Sequence, residues 1–189
     1  NSKYVNYGDP ILIQNFGNTK SYLALCLDDP KSIKNYGIIS SVYFYNNIND
    51  ALNNGRWIII PNYNHKVNDS NYNFYDDYDL QKLRSLSIPV KLTDNFLIVN
   101  ENKLNGKLVY LNLLGKDDSN YLVNCGELSY KVCVGVSTIT DDKINPMRQK
   151  EGLQTVTNPV LNNNNIIDET IVTSAVRMNL FEWSIEPLK

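Results

Sequence analysis

The chain has 189 residues, a formal net charge of −2 and 42% hydrophobic against 20% charged residues, which excludes disorder as the default and leaves room for one large domain. No stretch nears the roughly 18 to 20 consecutive apolar residues of a membrane helix, no apolar run follows a basic start, and Lys and Arg are scattered, so neither a membrane span nor a nucleic-acid surface is expected. The sequence holds 29 Asn and 13 Tyr against three Ala; Asn competes for backbone hydrogen bonds and Tyr loses rotamer freedom in a helix, so the composition favours strands and loops.

Runs of four to eight residues rich in Ile, Val, Leu, Tyr and Phe alternate with Asn, Asp, Gly and Pro clusters along the whole chain. The pattern predicts strands at Ile11–Asn15, Tyr22–Cys26, Ile38–Tyr45, Arg56–Pro61, Val90–Leu92 and Phe96–Asn100. It predicts further strands at Leu108–Asn112, Tyr121–Asn124, Lys131–Val136, Thr170–Val176 and Phe181–Ile185. Asn53-Asn54-Gly55 and Gly115-Lys116-Asp117-Asp118 are turn signals between them. Leu80, Leu83 and Leu86, spaced by three without Gly or Pro, predict two helical turns within Tyr78–Leu86. From Asp141 to Asn165, Pro146, Gly152, Pro159 and four consecutive Asn predict a long loop.

Self-comparison gives an organisation. Gly8-Asp9-Pro10-Ile11-Leu12-Ile13-Gln14-Asn15, followed by Ser21-Tyr22-Leu23-Ala24-Leu25-Cys26, is echoed by Gly106-Lys107-Leu108-Val109-Tyr110-Leu111-Asn112 and Ser119-Asn120-Tyr121-Leu122-Val123-Asn124-Cys125. Each copy closes on Trp-x-Ile-x-Pro, at Trp57–Pro61 and at Trp183–Pro187, which uses both tryptophans. Ile88–Leu92 and Asn95–Asn100 supply a hairpin for a middle unit without a Trp. A single domain of three four-stranded units, about 8–61, 62–105 and 106–187, is the arithmetic of an all-β β-trefoil whose third unit carries a long inserted loop. Six strands would close a barrel and six would cap it, removing exposed edges. The alternative is a duplicated β-sandwich.

On the repeat order and the two Trp-x-Ile-x-Pro strands, the chain resembles β-trefoil binding domains: the ricin B-chain type of lectin, the receptor-binding or companion domains of bacterial toxins, and some protease inhibitors. The resemblance implies a secreted, extracellular module that binds carbohydrate or a cell-surface receptor. Where ricin-type repeats carry Gln-x-Trp, this chain has Gly55-Arg56-Trp57 and Phe181-Glu182-Trp183, so a ricin-type sugar pocket is not carried over.

Trp57 beside Ile58 to Ile60, and Trp183 between Phe181 and Ile185, have the alternation of core residues. Binding residues are better sought among aromatics flanked by amides and carboxylates, where a ring face and planar hydrogen-bonding groups can grip a hydroxylated ligand. Tyr43, Tyr45, Asn46 and Asn47 form one such set, and Tyr72, Tyr75 and Asp76 another. The competing reading of both is a tyrosine-rich segment packed on the barrel. Asp28-Asp29 and Asp117-Asp118 have the look of Asx-turns, without the oxygen ladder of a calcium loop. Cys26, Cys125 and Cys133 are an odd set; Cys125 and Cys133 either close a hairpin as a disulfide or remain buried thiols. His65 is the lone histidine and there is no Cys-x-x-Cys, so no metal or cofactor is expected.

No nucleophile elbow, P-loop or zincin motif occurs. The expected function is binding without catalysis of a glycan or cell-surface receptor. The first alternative is a protein-binding module, an inhibitor or an assembly subunit of a larger complex, acting through the 141–165 loop. The second is an enzyme with dispersed residues.

Overall fold

The structure, a computed structural model, describes residues 4–15, 22–25, 38–45, 48–62, 80–103, 106–114, 133–137, 141–152, 155, 161–162, 177–178 and 183–188. These residues are mostly β. In chain order they form β1 (Pro10–Asn15), β2 (Tyr22–Leu25), β3 (Ile38–Tyr45), α1 (Ile48–Asn54), β4 (Trp57–Pro61), α2 (Leu80–Ser85) and β5 (Phe96–Asn100). There follow β6 (Tyr110–Leu114), β7 (Cys133–Ser137), α3 (Asp141–Lys150), β8 (Leu161–Asn162), β9 (Arg177–Met178) and β10 (Trp183–Pro187).

The strands make one antiparallel sheet in the order β2-β3-β7-β6-β5-β4-β1-β10-β9-β8, and β2 also pairs with β1. The sheet therefore curls back on itself, and β10-β1-β4-β5-β6 forms a half-barrel. The two Trp-x-Ile-x-Pro segments become five-residue strands on opposite edges of β1: Ile11 pairs with Trp57 on one side, and Asn15 with Trp183 on the other. One curled sheet with no second sheet packed on it among the described residues is the geometry of a barrel wall, not of duplicated sandwich halves.

Residues directly opposite in an antiparallel pair share a face, and neighbours along a strand alternate. Followed strand by strand from β1 through β4, β5, β6, β7, β3 and β2 back to β1, the registers return to the starting face without conflict. The first face carries Ile11, Ile13, Leu23, Leu25, Trp57, Ile59, Ile98 and Leu111, all buried in one cluster. Trp57 is fully enclosed, and its Nε1 donates to the Leu23 carbonyl at 2.8 Å, which satisfies the single polar atom of a large apolar ring. That is the core role its sequence context predicts. Trp183 takes the corresponding face on β10, next to buried Ile185.

The second face differs around the sheet. Over β4 and β5 it is apolar too: Ile58, Ile60, Leu97 and Val99 are buried, and the same cluster contains Val5, Tyr7, Leu83 of α2 and Val90. These residues form a second layer. It is tied down by backbone bonds Tyr7 N to Ile88 O (2.9 Å), Val90 N to Val5 O (2.8 Å) and Gly8 N to Ile59 O (3.0 Å). Gly8 sits at φ +89°, and a Cβ there would stand 2.7 Å from the Arg84 backbone nitrogen, so only glycine lets α2 approach this closely.

Several expectations are corrected. Val90–Leu92 is not a strand hairpinned to β5; Pro89, which lacks a donor, makes an isolated bridge to Asn6, and β5 pairs with β4 and β6 instead. The strand expected at Leu108–Asn112 runs at Tyr110–Leu114, two residues later. The 141–165 stretch is not a loop throughout, since α3 occupies Asp141–Lys150 and Leu161–Asn162 returns to the sheet as β8. Two features favour that helix: Asp141 and Asp142 lie in its first turn and Arg148 and Lys150 in its last, matching the dipole, and Ile144 and Arg148, four apart, are both buried. Gly152 at φ +71° follows its last turn. Helix α1 was hidden under a turn signal. Helix α2, at Leu80–Ser85, lies within the predicted two turns. The expected strands at Tyr121–Asn124 and Thr170–Val176 lie outside the described residues, as does Cys125.

Candidate functional site

Of the seven predicted ligand-binding residues, Tyr43 and Tyr45 are placed by backbone in β3, while Asn46, Asn47, Tyr72, Tyr75 and Asp76 lie outside the described residues. Tyr43 pairs with Ala24 and Tyr45 with Tyr22 on β2. Both positions belong to the second face of the sheet. Continuing on that face, Ser41 of β3 is opposite Gly135 of β7, and Gly135 is opposite Asn112 of β6. Ser41, Gly135 and Asn112 thus make one row across three strands, beside the two tyrosine positions.

Asn112 is the informative member. Its side chain is fully buried. Nδ2 donates to the Tyr110 carbonyl on its own strand at 3.3 Å, and Oδ1 has no hydrogen-bond donor. A buried acceptor left unmade costs about 1–3 kcal/mol, and such orphans are rare enough to call for a cause. Sequence reasoning missed Asn112 because it put the residue at a strand end, where Asn is ordinary; the apolar Leu113 and Leu114 beyond it were the signal that the strand continues.

A second polar group stands where β4 and β5 meet α1. Asn100, also fully buried, donates through Nδ2 to the Asn54 carbonyl at 3.0 Å and accepts at Oδ1 from the Asn102 backbone at 2.9 Å; Asn102 Nδ2 donates to the Asn53 carbonyl at 2.9 Å. These amides cap the last carbonyls of α1, which have no partner inside the helix. Half-exposed Arg56 and Glu101 form an ion pair beside them, and Glu101 N donates to the Arg56 carbonyl at 2.8 Å. This group is spent on structure, fixing α1 against the strand ends.

The third group is Tyr7 and Asp94. The buried Tyr7 hydroxyl donates to Asp94 Oδ2 at 2.8 Å, and the same oxygen accepts from Lys91 N at 3.0 Å. Burial first, then the Asp94 charge and this hydrogen bond, push the Tyr7 pKa well above the ordinary tyrosine range. Burial likewise raises Asp9, opposed by nearby Arg84 and by a hydrogen bond with Asn6. A tyrosine held protonated and hydrogen-bonded in this way is a poor base, and the arrangement anchors the second layer.

Among the described residues no group of three or more His, Cys, Asp or Glu side chains could hold a metal, and no helix is long and apolar enough to cross a membrane. Comparison with known proteins gives no matching family model, no matching curated protein and no matching solved structure.

Proposed function

We propose that the chain is a non-catalytic binding module for a glycan or a glycosylated cell-surface receptor, lectin-like or toxin-associated and working outside the cell, built on a β-trefoil plan. The observation that carries this reading is the sharing of one sheet face by Tyr43, Tyr45, Ser41, Gly135 and Asn112. Aromatic rings beside hydroxyl and amide groups, with a glycine among them, are the combination that stacks on a sugar ring and reads its hydroxyls. The trefoil plan is supported by the linkage of the first unit, in which β1 pairs with β2 and with β4 while β2 pairs with β3, and by the two Trp-x-Ile-x-Pro strands flanking β1.

Binding at such a face is modest per site, because sugar hydroxyls exchange water for protein at little net gain; strong attachment then needs several sites at once. The test is a glycan array probed with the multivalent wild type and with Tyr45→Ala. The expected outcome is retention of at least one glycan class by the wild type, and its loss in Tyr45→Ala at an unchanged melting temperature. A wild type that retains nothing on the array overturns the reading.

A further inference from the structure

We infer that Asn112 is the hydroxyl-reading residue of this face, its Oδ1 accepting a hydrogen bond from a ring hydroxyl of a bound monosaccharide unit; the inference rests on the glycan-binding reading above. Three observations converge. The Asn112 side chain is fully buried, yet its carbonyl oxygen lacks a donor while its amide nitrogen is held by the Tyr110 carbonyl. The oxygen is thus the free end of a group fixed in orientation. Its cross-strand neighbour is Gly135, which contributes no side chain, and the next position in the row is Ser41. The same face continues to Tyr43 and Tyr45 on β3, opposite Ala24 and Tyr22, so ring-stacking residue types lie one and two alternations along β3 from the end of the row.

The chemistry required at Oδ1 is a donor on a small polar ligand. An acceptor such as a carboxylate or phosphate would be repelled, which excludes anionic ligands at this point and selects neutral polyols. Leucine at this position would match the shape and bury no polar atom, and removing both halves of an unmade bond is neutral or stabilising. An asparagine kept at the expense of stability is what a binding site demands.

The experiment uses the full chain and the methyl glycosides of glucose, galactose, mannose and N-acetylglucosamine as probes. Three quantities are read: the melting temperature without sugar, its rise with each sugar, and the side-chain amide resonance of Asn112, assigned by its absence in Asn112→Leu. The expected result is that at least one glycoside stabilises the wild type and moves the Asn112 amide. Asn112→Leu should melt about 2–4 °C or more above the unliganded wild type and respond to no sugar. Gly135→Thr, suited to a strand, should also lose the sugar response by filling the row, and it keeps the test open if Asn112→Leu fails to fold.

Three outcomes overturn the inference in distinguishable ways. If the wild type and both variants respond equally to a glycoside, the glycan reading stands and Asn112 has no part in it. If Asn112→Leu melts below the wild type and the Asn112 amide ignores every sugar that binds, the oxygen is satisfied by an internal water. If the wild type responds to no glycoside and retains nothing on the array, the glycan reading falls and this inference falls with it.

Discussion

Strands β4 and β3 belong to the same curled sheet and obey opposite rules. In β4 the run Trp57-Ile58-Ile59-Ile60 is apolar without interruption, and every one of these side chains is buried. In β3 the run Ser41-Val42-Tyr43-Phe44-Tyr45 alternates, and β7 does the same as Cys133-Val134-Gly135-Val136-Ser137. A strand covered on both faces must be apolar at every position, whereas a strand that lends one face to the core and one to something else must alternate. The second layer of Val5, Tyr7, Leu83 and Val90 accounts for the first case. The polar and aromatic face of the second case is where a ligand surface can be built.

The largest effect should come from the covered wall. Trp57→Ala removes a fully enclosed indole and its bond to the Leu23 carbonyl, and should destabilise by about 3–5 kcal/mol in urea denaturation. A variant that unfolds at the parental midpoint would mean that the second layer collapses into the space, and that β4 is less firmly held than its burial indicates.

The next effect separates the two walls directly. Ile58 and Ile59 point to opposite faces of β4 and are both buried, so Ile58→Ala and Ile59→Ala should each cost about 2–5 kcal/mol. On β3 the adjacent pair should be unequal. Phe44→Ala, at a core-face position opposite Leu23, should cost about 3–5 kcal/mol, while Tyr43→Ala, on the other face, should stay within about 0.5 kcal/mol, as surface changes do. Equal losses at Phe44 and Tyr43 would show that β3 is doubly covered like β4, and the site proposed on it would have no room.

This contrast also explains what the sequence revealed. Alternation and apolar runs placed β1, β2, β3, β4 and β5 within a residue of their observed bounds, because side-chain period is set by which faces are buried and leaves its mark in the residue order. Pairing is different. Nothing local in Phe96–Asn100 says that its partner is β4 and not the residues just before it; that choice depends on Pro89 and on the Asp94 side chain tying up the 91–94 turn, where Asp94 N donates to the Lys91 carbonyl at 3.0 Å. Helix α1 was obscured because Asn53 and Asn54 are turn formers whose carbonyls are satisfied from across the sheet by Asn102 and Asn100. Of the site, the tyrosine positions on β3 were legible as aromatics beside amides. Asn112 became visible only once the register set it beside Gly135, since an orphaned acceptor is a property of the fold and not of the residue type.

The smallest effect tests the second layer through its one deeply buried hydroxyl. Tyr7→Phe keeps the ring and removes the bond to Asp94, whose carboxylate retains the Lys91 nitrogen; at neutral pH the loss should be about 1–3 kcal/mol, the range for a hydrogen bond to a charged group. The sign of the pH dependence follows from the raised pKa of Tyr7. In the unfolded chain the phenol titrates near 10, while in the folded protein burial and Asp94 hold the proton on well above that. A group with a raised folded-state pKa contributes its stability in full below the unfolded value and loses it as pH climbs beyond that value, because the unfolded chain then releases a proton that the folded one must keep. The wild type should therefore weaken above about pH 10 more steeply than Tyr7→Phe, and the gap between their urea midpoints should narrow as alkali is added, with the other tyrosines and lysines common to both. Parallel curves would mean that Tyr7 ionises in the folded state as freely as in the unfolded one, so that the layer over β4 and β5 is open to water and the distinction between the two walls is weaker than burial alone indicates.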